Sequence, residues 1–181
     1  MDNTKEPIKN ASRQIAGPFN YGAGHVNPNA VGNPGLVYDL EMEDYYSFLC
    51  SLNYNSRQMK AITGKAFSCA AGQHKIHDFN YPSITVSKLK GSVTVKRRVT
   101  NVAKGPATYK AKVEYPPGVL VSVEPEKLEF SKLGEKKSFN VILRATNSSG
   151  GEYVFGSLRW EHPQYLVVSP IVVNATTVRG Q

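Results

Sequence analysis

The chain has 181 residues, of which 40% are hydrophobic and 10% aromatic, and it carries a formal net charge of +8. This composition supplies enough apolar surface for a packed core and excludes wholesale disorder, and the length fits one domain or one domain with a fragment of another. No run of about 18 apolar residues occurs, which excludes a membrane-spanning helix, and the polar residues 1–14 lack the apolar stretch of a secretory signal peptide.

A turn-rich segment follows the polar, irregular residues 1–17 and runs from Pro18 to Asp39. Its glycines permit the backbone angles of tight turns, and each proline favours extended geometry in the residue before it. The segment also carries large apolar side chains, which flexible linkers lack. These are Phe19, Tyr21, Val26, Val31, Leu36, Val37 and Tyr38. We therefore expect an ordered loop that is wrapped on the surface of a domain.

Two short helices are predicted after this segment. Apolar residues at helical spacing give residues 40–52 one apolar face, and Asp39 stands where an N-cap is needed. Ser56 is the predicted N-cap of a second helix, which extends through Thr63 and ends at Gly64. The side chains expected to face inward are Tyr45, Phe48, Leu49, Leu52, Met59 and Ile62.

Cys50 and Cys69 are the only cysteines of the sequence. The residues alone are compatible with two buried thiols, with a disulfide, or with a metal site that His74 and His77 complete. The metal site is the least favoured alternative, because the spacings Cys-x18-Cys and His-x2-His match no usual zinc finger. We therefore predict no metal and no cofactor.

From Asp78 onward the sequence changes to alternating apolar and polar residues. The alternating sets contain Val93, Val95 and Val99; Tyr109, Ala111, Val113 and Tyr115; Val119, Val121 and Val123; Phe139, Val141 and Leu143; and the stretches 153–160 and 166–173. Turn residues separate these sets, so they predict several short strands and a β-sandwich, for which about 100 residues suffice. Trp160 is expected in the core, and an exposed sugar-stacking role is the weaker alternative.

The positive charge is concentrated in the second part of the chain. Residues 1–77 contain 7 basic and 6 acidic residues (+1), whereas residues 78–181 contain 15 basic and 8 acidic residues (+7). The closest cluster consists of Lys88, Lys90, Lys96, Arg97 and Arg98. No aromatic residues are interleaved with this cluster, which argues against a nucleic-acid interface. We expect a solvated basic surface, suited to an acidic polysaccharide matrix.

Two blocks of the sequence resemble the plant subtilisin-like serine proteases (subtilases). Residues 18–39, PFNYGAGHVNPNAVGNPGLVYD, are similar to the segment that closes their catalytic domain, although those proteases more often have an acidic or another polar residue at Asn33. Residues 78–84, DFNYPSI, resemble the start of their C-terminal fibronectin type III-like domain. The resemblance implies a mainly β fold, with a fibronectin III-like β-sandwich over 78–181 and a short α-helical remnant of the subtilisin-like α/β catalytic domain over 1–77.

The resemblance also implies a function. The parent enzymes are serine endopeptidases with a Ser-His-Asp triad, but the motifs Gly-Thr-Ser-Met, Asp-Thr-Gly and His-Gly-Thr that surround the triad are absent from this sequence. Outside any such motif lie His25, His74, His77, His162, Ser83 and Ser169. We therefore expect the chain to have no catalytic residues, to be inactive alone, and to pack in cis on a subtilisin-like catalytic domain that acts on protein substrates.

The alternative is a free-standing secreted interaction module that binds a protein or a cell-wall polymer. Such a module folds without a missing partner. A severed catalytic tail, by contrast, is expected to leave the side chains of Phe19, Tyr21, Leu36, Val37 and Tyr38 exposed.

The resemblance also implies a disulfide and a location, and the sequence itself contains candidate glycosylation sites. Phe-Leu-Cys at 48–50, followed by Ile-Thr-Gly-Lys-x-Phe-x-Cys at 62–69, resembles the family and implies a Cys50–Cys69 disulfide. An extracellular location in the apoplast or cell wall is implied although the chain carries no signal peptide, with neither a membrane nor a nucleic acid as partner. Three sequons are candidate glycosylation sites, at Asn10, Asn147 and Asn174.

Overall fold

The computed structural model describes residues 6–69 and 74–176, and its main body is a sandwich of two β-sheets. The strands of the described residues are β1 (Leu36–Val37), β2 (Ile84–Lys90), β3 (Ser92–Asn101), β4 (Ala107–Glu114), β5 (Val119–Glu124), β6 (Lys127–Phe130), β7 (Lys136–Ala145), β8 (Val154–His162) and β9 (Tyr165–Thr176). The first sheet has the order β1-β3-β7-β5 and the second the order β2-β9-β8-β4-β6. The pairs are antiparallel apart from β2 and β9, which are parallel. The mainly β sandwich predicted from the sequence is confirmed.

The core lies between the two sheets, where the inward side chains of the strands meet. In β5, Val119, Val121 and Val123 are buried while the residues between them are exposed, as the period of two in a half-buried strand requires. Trp160 is fully buried against Phe139, with 5.0 Å between ring centroids in an edge-to-face arrangement. The predicted core position of Trp160 is therefore confirmed, and its sugar-stacking alternative is wrong.

Three of these strands have no counterpart among the sets predicted from the sequence. β1 has only two residues and lies within the turn-rich segment, and β6 alternates exposed and buried residues but has only four of them. In β2 the adjacent residues Ser87 and Lys88 are both exposed, and the pairing with β9 shifts register between Val86 and Leu89. Such a bulge breaks the period of two on which the prediction of strands depends. Tyr115, which was predicted within a strand, lies beyond the end of β4 and is exposed.

The helices of the described residues lie before the sandwich. They are α1 (Pro18–Tyr21), α2 (Pro28–Val31), α3 (Met42–Ser51) and α4 (Ser56–Thr63), and a 3₁₀ turn (Ile76–Asp78) leads into β2. α1 and α2 are single turns with proline at the first helical position, where the missing N–H has no cost. No helix in this described part is both long and apolar enough to cross a membrane.

The two predicted helices are present, but their caps differ from the prediction. The N-cap of α3 is Glu41, whose N–H donates to Asp44 Oδ2, whereas the Asp39 carboxylate accepts a hydrogen bond from Thr100. Asn55 instead of Ser56 is the N-cap of α4, since its side chain accepts from the N–H groups of the first turn. Gly64 ends α4 in the left-handed conformation, as predicted.

The inward faces of these helices are only partly as predicted. Met59 is fully buried, and Phe48 and Leu49 are half-buried. The prediction is wrong for three side chains that are exposed instead, namely Tyr45, Leu52 and Ile62. Tyr45 and Phe48 both pack against Phe79, at 5.8 and 4.8 Å between ring centroids, so this face of α3 contacts the chain that leads into β2.

Candidate functional site

The hydroxyl and imidazole groups of the described residues do not form a Ser–His pair. Ser169 Oγ lies 2.7 Å from the hydroxyl of Tyr38, and its side chain is buried. The ring of His162 stacks on Tyr165 at 4.9 Å between centroids. No hydrogen bond joins a serine to a histidine in this part of the chain, so the described residues do not form the nucleophile–base pair of a triad.

A buried arginine fastens the chain before β2 to the first sheet. Arg97 on β3 is 4% exposed, and its guanidinium donates to the backbone carbonyls of His77 (2.7 Å), Tyr81 (3.0 Å) and Ser83 (2.9 Å). Burial lowers the pKa of Arg97 to about 10, so the group is still charged at neutral pH. A planar fork with five donors can bind several carbonyls at once, which lysine cannot do. We call this set of contacts the Arg97 clasp.

Two side chains of the same segment bind the outer edge of β3. Asn80 Oδ1 accepts from the N–H of Arg98 at 2.8 Å, and Asn80 Nδ2 donates to the carbonyls of Arg98 (2.9 Å) and Asp39 (2.8 Å). Asp78 Oδ1 accepts from the N–H of Lys96 at 2.9 Å. These side chains take the place of a further strand, and we call residues 78–80 the β3 strap.

The predicted solvated basic surface is wrong for two of its five members. Arg97 is buried in its clasp, and Arg98 is half-buried with its Nη2 atom 3.0 Å from Asp44 Oδ2 and 3.8 Å from Glu41 Oε1. Adjacent residues of a strand point to opposite faces, so sequence proximity did not place these charges on one surface. The members that are exposed are Lys88, Lys90 and Lys96.

The end of the turn-rich segment is part of the sandwich. Leu36 is 3% exposed, and Leu36–Val37 pairs with β3 as the outer strand of the first sheet. The hydroxyl of Tyr38 is hydrogen-bonded to Ser169 Oγ, and burial raises the pKa of Tyr38. The exposure expected for Leu36, Val37 and Tyr38 is therefore wrong, because the sandwich itself supplies their partners.

The beginning of the turn-rich segment exposes Phe19, Val26 and Val31, whereas Tyr21 is half-buried, so the expected exposure is correct for Phe19 and wrong for Tyr21. Phe19 packs edge-on against Tyr153 and Phe155, at 5.1 and 5.6 Å between centroids, and so attaches α1 to the outer face of the second sheet. Nine of the sixteen large apolar side chains that are exposed in the described residues lie before residue 78. The first four of them, Ile15, Phe19, Val26 and Val31, are called the exposed apolar set below. These apolar side chains lie outside the sandwich core and are accessible for contact with a further domain.

A cleft of about 330 Å³ lies between α1 and the second sheet. Its walls are mostly apolar and include Phe19, Tyr81, Pro82, Pro170 and Val172. A small-molecule site normally adds convergent charged or strongly polar groups to such walls, and this cleft has no charged side chain among its described lining residues. The lining is therefore better suited to an apolar contact than to a charged small molecule.

Cys50 and Cys69 form a disulfide in the structure, with 5.4 Å between their Cα atoms. The bond joins the end of α3 to the chain after α4, as the family resemblance implied. A disulfide sulfur is not the thiolate that zinc requires, so the metal alternative loses two of its four ligands. In the described residues no group of three His, Cys, Asp or Glu side chains is placed to hold a metal ion.

The three sequon asparagines have different environments. Asn147 is exposed just after β7. Asn174 is half-buried in β9, and its Nδ2 atom donates to the carbonyl of Gly151 at 2.7 Å. Asn10 is half-buried, and its Oδ1 atom accepts from two backbone N–H groups of its own turn. Asn147 is thus the best placed of the three for a glycan, and glycosylation itself stays a prediction.

The glycosylation prediction can be tested by mass. We expect Asn147→Gln to lower the mass of the chain by one glycan when it is secreted from plant cells behind an added signal peptide. Asn174→Gln is the matched control and is expected to leave the mass unchanged, because its amide is engaged in the sheet. A glycan lost from Asn174→Gln and retained in Asn147→Gln contradicts this assignment.

The buried imidazole of His77 is expected to make the stability of the fold depend on pH. Its Nε2 atom is buried without a hydrogen-bond partner, and this burial lowers the pKa of His77 despite the nearby Asp78 carboxylate. A histidine whose folded pKa is depressed contributes stability above its unfolded pKa of about 6.5, and this stability is lost as the pH falls below that value. We expect the denaturant midpoint to decrease as the pH is lowered from about 7.5 to about 5.5. In His77→Gln we expect this decrease to be smaller, because the titrating group is absent. The exposed His25 is the control, since His25→Gln is expected to show the same decrease as the native chain. If His77→Gln also shows the same decrease as the native chain, the pH dependence does not come from His77.

The fibronectin type-III domain family matches residues 78–173 of the chain. Subtilisin-like protease SBT5.3 of Arabidopsis thaliana is 49% identical over 96% of this chain and 23% of its own length. Subtilisin-like protease SBT5.4 of the same plant is 45% identical over 97% of this chain and 22% of its own length. The chain thus spans about a quarter of the length of the curated relatives it matches, and it corresponds to their C-terminal fibronectin III-like region. Among solved structures, a FixG-related protein from Vibrio parahaemolyticus aligns at a TM-score of 0.38 and 11% identity, over 47% of this chain and 79% of its own.

Proposed function

The chain belongs to the fibronectin type-III domain family and is homologous to plant subtilisin-like proteases, and from this we propose that it packs on the catalytic domain of such a protease and stabilises it. In this proposal residues 1–77 are the last part of the catalytic domain and residues 78–181 form the sandwich, to whose first sheet residues 1–77 add the short strand β1. The catalytic domain is a partner in cis, and its protein substrates are bound elsewhere in the parent enzyme.

One observation carries the proposal, namely the contrast between the two halves of the turn-rich segment. Its second half is held by the pairing of Leu36 with β3 of the first sheet and by the hydrogen bond between Tyr38 and Ser169 of β9 in the second sheet. Its first half presents Val26 and Val31, which are 76% and 68% exposed. The sandwich therefore holds an apolar surface in place without covering it. Transfer of such surface from water into an interface is favourable by about 25 cal/mol per Å². The remaining three quarters of the relatives' length provides a candidate for the cover.

The chain itself is proposed to be inactive. The Ser169 hydroxyl is buried against Tyr38, and no histidine of the described residues is hydrogen-bonded to a serine. We expect no serine of the chain to react with a fluorophosphonate probe, whereas full-length SBT5.3 serves as the positive control. Labelling of a specific serine in the folded chain, and its loss on heat denaturation, would contradict the proposed absence of catalysis.

We further propose an extracellular location, in the apoplast or cell wall. The Cys50–Cys69 disulfide is typical of an oxidising compartment, and the exposed Asn147 sequon is compatible with glycosylation during secretion.

A free-standing interaction module is the second candidate, and one observation favours it. Leu36, Val37 and Tyr38 find their partners within the chain, so the sandwich and the segment before it can fold as one unit without another domain. The two candidates differ in whether the exposed apolar set is needed by a catalytic domain.

A further inference from the structure

The two sheets have four edges, and three of them carry features that prevent the addition of another strand. At the first edge, β1 has two residues and the β3 strap binds the N–H groups of Lys96 and Arg98. At the second edge, β2 is bulged and presents exposed lysines at positions 88 and 90. At the third edge, β6 has only four residues.

The fourth edge, β5, has none of these features. β5 pairs with β7 over all six of its residues without a register shift, and it contains neither lysine nor proline. Its outward-facing side chains are Leu120, which is 55% exposed, Ser122 and Glu124. No other described strand or side chain is bonded to its free side.

The backbone groups on the free side of β5 can be assigned from the ladder. Thr146 donates to the carbonyl of Gly118, so Gly118 and every second residue after it bond to β7. Val121 and Val123 consequently direct their N–H and C=O groups away from the sheet. Val119 directs only its C=O away from the sheet, because its N–H donates to the carbonyl of Pro116. Within the described residues, the free side of β5 thus has unpaired C=O groups at Val119, Val121 and Val123 and unpaired N–H groups at Val121 and Val123.

This edge is complementary to itself. An antiparallel pair of two β5 strands with Val121 opposite its own copy places outward-facing N–H and C=O groups opposite one another, as a hydrogen-bonded pair requires. In that register the inward valines continue one core face, and Leu120 stands opposite Ser122 of the other copy. Glu124 stands opposite Gly118, so no like charges meet.

We propose that two copies of this chain associate through their β5 strands in this register and join their first sheets into one. A six-residue strand pair buries less surface than a standard protein interface, so the dimer is weak and forms in a concentration-dependent manner. This inference does not depend on the proposed function, since β5 and the exposed apolar set belong to different parts of the chain.

Charge substitutions at the outward positions test both the edge and the register. The full chain is examined by sedimentation equilibrium over about two orders of magnitude in concentration. Leu120→Lys with Ser122→Lys brings two pairs of lysines face to face and is expected to weaken the dimer at least about tenfold. Leu120→Lys with Ser122→Glu creates two opposite-charge pairs in the same register and is expected to dimerise at least as well as the native chain. The two positions point away from the core, so an unchanged denaturant midpoint of the monomer verifies the fold of both variants.

Each outcome decides the proposal. A native chain that is monomeric throughout the range overturns it. A dimer that tolerates the two lysines but is lost in Val26→Asp with Val31→Asp also overturns it, because association then occurs through the exposed apolar set. Loss of the dimer in both charge variants rejects the proposed register.

Discussion

Replacing Arg97 with methionine is expected to lower the free energy of unfolding by about 4 kcal/mol. The substitution removes the donors of the carbonyls of His77, Tyr81 and Ser83, which bind the guanidinium within 3.0 Å. A buried acceptor left without a donor costs about 1–3 kcal/mol, and part of this cost is offset because a buried charge is also removed. Urea unfolding with the disulfide intact measures the change.

Two controls separate the Arg97 clasp from charge alone. Arg97→Lys retains the charge but not the planar fork, and it is expected to lose at least half as much stability as Arg97→Met. Arg144→Met removes an exposed arginine from the same first sheet and is expected to change stability by less than about 0.5 kcal/mol. The clasp is not the main attachment of residues 77–83 if Arg97→Met and Arg144→Met unfold at the same urea concentration.

Gly35→Ala is expected to lower the free energy of unfolding by about 3 kcal/mol. Gly35 has φ of +78°, and a Cβ atom there would lie 2.7 Å from Tyr165 Cβ and 2.9 Å from the Tyr109 hydroxyl. Tyr109 is fully buried in the core and cannot retreat easily. The added methyl group therefore pushes β1 away from the sheet and exposes Leu36.

Gly134→Ala is a matched control for the backbone angle. Gly134 has φ of +77°, but nothing lies within 4 Å of the Cβ position. Its substitution should cost only the strain of the left-handed conformation, about 1 kcal/mol. Thermal unfolding of both variants isolates the steric term, and equal costs would mean that the packing around Gly35 is not what holds β1.

The sandwich could be predicted because its strands obey a local rule. Strands such as β5 alternate buried and exposed residues without interruption, and that period is visible in the sequence. β1 and β2 were missed for a physical reason. A two-residue strand such as β1 is too short to show a period. In β2 the bulge shifts the alternation of buried and exposed residues by one position.

The candidate site was less predictable, because its contacts join residues that are distant in sequence. Arg97 was grouped with Lys96 and Arg98 as surface charge, whereas the fold directs it inward to carbonyls at 77–83. The hydroxyl of Tyr38 is hydrogen-bonded to Ser169, which lies 131 positions later in the chain. The exposure of the first half of the turn-rich segment and the burial of its second half depend on which half meets β3, and apolar composition does not reveal that choice.

The central claim is that a catalytic domain covers the exposed apolar set. It is tested most directly in SBT5.3 whose homologous C-terminal quarter is replaced by this chain. The measurement is the temperature at which the peptidase activity of this chimera is half lost. The double substitution Val26→Asp with Val31→Asp is expected to lower this temperature by several degrees, which corresponds to a loss of about 1–2 kcal/mol of interface free energy. The unfolding temperature of the isolated chain is expected to stay the same, because both side chains are exposed there. Leu133→Asp, at an exposed apolar residue outside the set, is the control and should change neither value. A doubly substituted chimera that is as active and as heat-resistant as the unsubstituted one contradicts the account and favours a free-standing interaction module.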